Sequence, residues 1–158
     1  MRTRSHIGFL LLLFALTNHA HSQDSLCAFR WAWSSGKVIA DVRVPLGYQV
    51  VSNSENREGI LTKLRWQDSS IVLLQSGRNL PLPLLNRTKH SIGETFIQLN
   101  GYSRRGTRPT TDLFWREDAL VGYNVAYDSV HSSRRALFDR SFESFPFQFV
   151  MYIGRPVR

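Results

Sequence analysis

The sequence predicts an α+β fold: an antiparallel β-sheet built from hairpins, with one C-terminal amphipathic helix packed on a face and a final strand. Three observations predict it. Short stretches alternate apolar and polar residues, as in KVIADVRVP and ILTKLRWQ, and a period of two marks strands with one buried face. Short polar turns separate such stretches, as DSS does between ILTKLRWQ and IVLLQ, which is the signal of a hairpin. Near the end the period changes, with Phe138, Phe142 and Phe145 at i, i+4 and i+7, one stripe of a helix. Strands followed by a helix are the segregated order of an α+β protein.

The chain begins with a basic stretch, MRTRSH, an apolar run from Ile7 to Thr17, and a polar stretch with small residues at Ala20 and Ser22. That layout predicts a signal peptide over residues 1–22, cleaved between Ser22 and Gln23, and a secreted or periplasmic protein. Eleven helical residues span about 16 Å, half a bilayer core, so no transmembrane anchor is expected after cleavage. Residues 23–158 then read as a single globular domain, with 42% hydrophobic and 20% charged residues in the whole chain, a composition that excludes intrinsic disorder. The single cysteine, Cys27, permits no internal disulfide. Two readings follow: a small apolar residue packed beside Phe29 and Trp31, or a bridge linking two chains as a dimer in an oxidising compartment.

Within the domain, Val38, Ala40, Val42 and Val44 share one face of a strand that Pro45 ends, and PLGY is a turn. YQVVS begins a second strand. Ile60, Thr62, Leu64 and Trp66 alternate with Leu61, Lys63 and Arg65 in a third, and IVLLQ is a short buried fourth. Pro81 and Pro83 exclude a regular strand or helix between residues 76 and 94, so a long surface connection is expected there, with one helical turn near Leu84 and Leu85. TFIQLNGY reads as one strand, SRRGTRPT as a basic loop, and TDLFWRE and LVGYNVAY as two strands joined at an exposed tip, Glu117-Asp118-Ala119. At such a tip Arg116 and Glu117 form a solvent-exposed ion pair, and Glu117→Ala would change stability by only a few tenths of a kcal/mol. The helix is capped by Ser132 or Ser133 and stopped by Pro146, and FQFVMYI is the final strand.

LFWRE, VGYNV and ALFDRSFESF, with DVRVPLGY earlier, resemble the hairpin, return strand and closing helix of small exported bacterial proteins of uncharacterised function. More remotely they resemble the PsbP/Mog1-like α+β sandwich. The chain departs from that sandwich in lacking a helix in its first half and in carrying a strand after the helix. The resemblance implies export and a fold, and carries no activity.

The motifs of chemistry are sparse. His90 and His131 are the only histidines beyond the signal peptide, and with no cysteine pair or Asp-rich loop no metal or other cofactor is expected. No nucleophile elbow and no phosphate-cradling glycine loop is present. NRT at Asn86 matches the N-glycosylation pattern, which is meaningless if the source is bacterial. The formal net charge of +8 falls to +6 when Arg2 and Arg4 leave with the signal peptide. Arg104, Arg105 and Arg108 with Tyr102, and Arg134 and Arg135 at the helix start, are the candidate polyanion-binding residues. Arg155 and Arg158 could extend that face. For an exported protein the anion is a surface ligand such as a lipid headgroup, acidic glycan or cell-wall polymer, and no native nucleic-acid role is expected. Three functions follow. The first is a non-catalytic module binding an unknown protein or ligand. The second is a polyanion-binding protein at the cell surface. The third is a hydrolase working through Glu117, Asp118, Asp128 or His131.

Overall fold

The computed structural model describes residues 25–78, 84–85, 90, 93–98 and 101–145. The expected signal peptide, the final strand, Asn86, Arg155 and Arg158 lie outside the described residues, as does most of the 76–94 connection.

Nine strands precede one helix among the described residues: β1 (Leu26–Ala32), β2 (Val38–Pro45), β3 (Gln49–Glu55), β4 (Gly59–Arg65), β5 (Ile71–Gly77), β6 (Glu94–Gln98), β7 (Gly101–Thr107), β8 (Phe114–Leu120), β9 (Tyr123–Val130) and α1 (Ser132–Glu143). The protein is thus broadly α+β, mostly antiparallel sheet with a C-terminal helix. β1 and β2 pair as a two-stranded ribbon, and the other seven form one sheet in the order β3-β4-β5-β9-β8-β7-β6. Every pairing is antiparallel.

The alternation read in the sequence sorts side chains onto two faces. Ile60, Leu64, Val72, Leu74, Val125 and Tyr127 point to one face, where they join Ala40, Val42 and Val44 of β2 and Phe138, Phe142 and Phe145 of the α1 region in the main core. Edge-on aromatic contacts tie the helix down: Trp66 to Phe138 at 5.1 Å and Tyr127 to Phe142 at 5.1 Å. The Ser141 hydroxyl also donates to the Arg43 carbonyl of β2 at 2.6 Å. The opposite face carries a smaller cluster, in which Trp115 and Ala126 pack beneath Leu85 with Leu73 and Leu84 alongside. Leu84 and Leu85 of the β5–β6 connection therefore lie over this second face.

Four sequence expectations need correction. SRRGTRPT is not a basic loop: residues through Thr107 belong to β7, hydrogen-bonded to β6 on one side and β8 on the other. TFIQLNGY is correspondingly the end of one strand and the start of the next. The β8–β9 turn falls at Val121-Gly122, closed by the pairing of Leu120 with Tyr123. Gly122 takes φ +84°, a left-handed value open to glycine without strain. Glu117, Asp118 and Ala119 therefore lie inside β8, all buried. Finally, His131 rather than Ser132 or Ser133 occupies the N-cap of α1, and it supplies no side-chain cap. Around Leu84 and Leu85 the described backbone is a bend.

Phe142 is 5% exposed and stacks edge-on to Tyr127. Phe142→Ala should lower unfolding free energy by about 3–5 kcal/mol. Urea melts check this, and a loss below about 1 kcal/mol would show that the helix does not bury this ring.

Candidate functional site

Three of the acids in the FWREDALVGYNVAYD stretch are buried, and each meets an arginine. Glu117 is completely buried, against the backbone of Leu84 and Leu85. Its Oε1 accepts from the Leu84 backbone N–H at 2.9 Å, the Tyr102 hydroxyl at 3.0 Å and Asn124 Nδ2 at 3.1 Å. Its Oε2 accepts from the Leu85 N–H at 3.3 Å and from Arg104 Nε at 3.1 Å and Nη2 at 2.5 Å. Arg104 Nη2 also donates to the Leu85 carbonyl at 3.0 Å. The pairing of Arg104 opposite Glu117 follows from the β7–β8 register.

Asp118 points to the other face, as a strand neighbour must. There it meets Arg116 at 2.7 Å and the Ser103 hydroxyl at 2.5 Å. Arg116 also reaches Asp139 of α1 at 3.3 Å, and Asp139 accepts from the Tyr127 hydroxyl at 2.9 Å. Burial would lower the Arg116 pKa, but Asp118 and Asp139 outweigh it and raise it. Burial, and then Asp139, push the Tyr127 phenol well above its usual value.

Asp128 sits at a β-bulge. Phe114 pairs with Val130 and Arg116 with Tyr127, so Asp128 and Ser129 together oppose Trp115. Ser129 takes φ +60°, and its N–H donates to Asp128 Oδ1. Asp128 bonds Arg108, through Nε at 2.9 Å and through Nη2. His90 Nε2 lies 3.2 Å from Asp128 Oδ2, and its ring stands edge-on to Trp115 at 5.5 Å. Burial raises the Asp128 pKa, but hydrogen bonds and charge from Arg108 and His90 outweigh it and hold the carboxyl below the ordinary aspartate value. The expected His131–Asp128 pair is corrected by this geometry: the histidine on Asp128 is His90, while His131 is exposed at the helix start.

The candidate polyanion-binding residues divide sharply. Arg104 is 5% exposed and committed to Glu117 and Leu85, so it is no surface group. Tyr102 gives its hydroxyl to the same carboxylate. Arg108 is held by Asp128. Arg134 bonds Asp68 at 2.5 Å and lies over the Phe138 ring. Arg105 and Arg135 are different. Arg105 uses Nε on Glu94 at 2.7 Å, and Arg135 Nε stands 3.5 Å from Asp139. Their Nη groups have no hydrogen-bond partner among the described residues.

These two arginines, one from β7 and one from α1, line a single cleft of 230 Å³ with Gly93, Glu94, Gly106, Thr107, Phe114 and Trp115. Arg135 is stacked 4.5 Å from the Phe114 ring centroid, which fixes its fork. The cleft can take an oxygen anion on two guanidinium forks. Sequence reasoning picked out both arginines but missed Glu94 and Phe114. A correct β6–β7 register, with Glu94 opposite Arg105, would have found the first.

Cys27 is half-buried in β1, its thiol 3.5 Å from the Val44 carbonyl, and burial raises its pKa, which suppresses the thiolate. Among the described residues no group of three His, Cys, Asp or Glu could hold a metal ion, and no helix is long and apolar enough to cross a membrane. The chain matches no protein-family model, no curated protein and no solved structure.

Two predictions follow from the buried pairs. Glu117→Ala should destabilise the protein by about 3–5 kcal/mol rather than a few tenths, because Arg104 and two backbone N–H groups would remain buried without their acceptor; chemical denaturation measures it. For Asp128, a depressed folded pKa means that its contribution to stability is complete above the ordinary aspartate value and is lost as pH falls through the folded value. The stability difference between wild type and Asp128→Asn should therefore be largest near neutral pH and shrink in acid. Melts from about pH 7 down to about pH 2 test this, and a pH-independent difference contradicts it.

Proposed function

We propose that this protein is an exported, non-catalytic binding module that recognises an anionic surface ligand through Arg105 and Arg135. One observation carries the reading: two arginines from separate elements converge on one cleft with their Nη donors uncommitted, while the other described candidate arginines are held in internal pairs. A guanidinium fork suits carboxylate and phosphate oxygens. Export rests on the sequence, with its basic stretch, apolar run and small-residue stretch at residues 1–22, and the resemblance to small exported bacterial proteins supports it.

The catalytic reading gains less support. Glu117 and Asp118 point to opposite faces of β8 and are each occupied by an arginine. Asp128 is occupied by Arg108, and His131 is exposed on a different element. These groups do not converge on one concave site, which paired acid–base work requires.

Heparin chromatography tests the proposal. The double variant Arg105→Ala/Arg135→Ala should elute at clearly lower salt than wild type, and the control Arg30→Ala, at an exposed residue paired only with Asp41, should elute close to it. Co-elution of the double variant with wild type would count against the reading. So would an equal shift in the control, which would reduce the effect to net charge.

A further inference from the structure

We infer that the Arg105–Arg135 cleft takes one small hydroxylated anion, a single-ring sugar acid or sugar phosphate; this rests on the anion-binding reading above.

The charges around the cleft include an acid: Glu94 lines it beside Arg105. Glu94 also has a role of its own. Its Oε2 holds Arg105, its Oε1 has no hydrogen-bond partner among the described residues, and its side chain is 52% exposed. An acceptor beside two cationic forks suits a ligand that carries hydroxyl donors close to its anionic group.

Size and shape narrow the ligand further. The cleft measures 230 Å³, below the range of about 300–1,000 Å³ for sites of drug-sized ligands, so one ring is the appropriate scale. Backbone forms part of the lining. A Cβ on Gly93 would stand 2.8 Å from the Arg105 carbonyl oxygen and 3.0 Å from Gly106 Cα, so the backbones at Gly93 and β7 pack directly on each other at this part of the lining. Phe114, stacked by Arg135, adds apolar lining.

Calorimetric titration of the folded protein with D-glucuronate, D-glucose 6-phosphate, inorganic phosphate and D-glucose tests the inference. The expected result is saturable binding of glucuronate or glucose 6-phosphate with a Kd of about 1 mM or tighter, and none of glucose. Which of the two binds more tightly distinguishes a carboxylate from a phosphate ligand. Arg135→Ala should weaken that binding about tenfold or more. Glu94→Ala should weaken it while leaving inorganic phosphate unchanged or tighter, since it removes both a hydroxyl acceptor and a negative charge. Equal effects of Glu94→Ala on sugar anion and phosphate would overturn its assignment as the hydroxyl acceptor. Absence of saturable sugar-anion binding, with heparin retention still dependent on Arg105 and Arg135, would overturn this inference and leave the anion-binding function standing. Absence of both would overturn the two together.

Discussion

The carboxylate of Glu117 is the constraint on which the arrangement of the sheet depends. The strand order β3-β4-β5-β9-β8-β7-β6 places β5 in the interior of the sheet and β6 at its far edge. The connection between them must span three strands, and its residues Leu84 and Leu85 pack on a face of the sheet. Backbone laid over a sheet brings N–H and C=O groups that the ladder cannot satisfy, and buried polar groups without partners are costly. Glu117 accepts the Leu84 and Leu85 N–H groups, and Arg104 donates to the Leu85 carbonyl. The ion pair is thus an adaptor between connection and sheet. Its desolvation is offset by hydrogen bonding, with Glu117 accepting at both oxygens and Arg104 donating through Nε and Nη2, the condition under which a buried pair is tolerated.

The same principle organises the other buried acids. Asp118 has Arg116, and Asp128 has Arg108 and His90. Strand alternation sends Glu117 and Asp118 to opposite faces, so each face has its own internal pair. The consequence for function lies in what these pairs leave over. An arginine-rich chain with fewer acids than bases cannot neutralise every guanidinium, and at the β7–α1 cleft two forks retain free donors. The free donors there are what charge compensation elsewhere leaves over, focused by position rather than by a large basic surface.

Period carried most of what was legible in the sequence. Ala40, Val42 and Val44 of β2, the strands β4 and β5, and Phe138 and Phe142 pack against the core as their spacing implies, whereas Val38 is exposed and Phe145 reaches the core from beyond the end of α1. β1 passed unread, although Cys27, Phe29 and Trp31 alternate inward along it, because its pattern is short and mixed with Ala and Arg. The larger failures share one cause. Polarity alone places charged residues in loops: Arg104 and Arg105 in a basic loop, Glu117 and Asp118 at a turn tip. Both pairs lie within strands: Arg104, Arg105 and Glu117 each have a complementary charge on a neighbouring strand, a tertiary fact that no local window contains, while Asp118 pairs with Arg116 of its own strand and with the Ser103 hydroxyl of β7. The true turn carried a signal, Gly122 in the left-handed region, that the charged run upstream obscured. The two arginines of the cleft were picked out by charge, but their separation from Arg104, Arg108 and Arg134 depended on the partners that folding assigns.

The bulge at Asp128-Ser129 links the core to the cleft. Tyr127 and Val130 both belong to the main core, although residues three apart on a regular strand face opposite ways. The extra residue, with Ser129 at positive φ, restores Val130 to the core side and leaves Asp128 on the other, where Arg108 and His90 hold it. The chain then turns into α1 directly after Val130, which is paired with Phe114. That register brings the first turns of the helix over Phe114 and stacks Arg135 on its ring. A regular β9 would end with Val130 facing away from the core, and α1 would start from the wrong side of the sheet to place Arg135 beside Arg105. The bulge is therefore as much a determinant of the cleft as the residues that line it, which fits the tendency of such irregularities to occur where a side chain must be re-aimed.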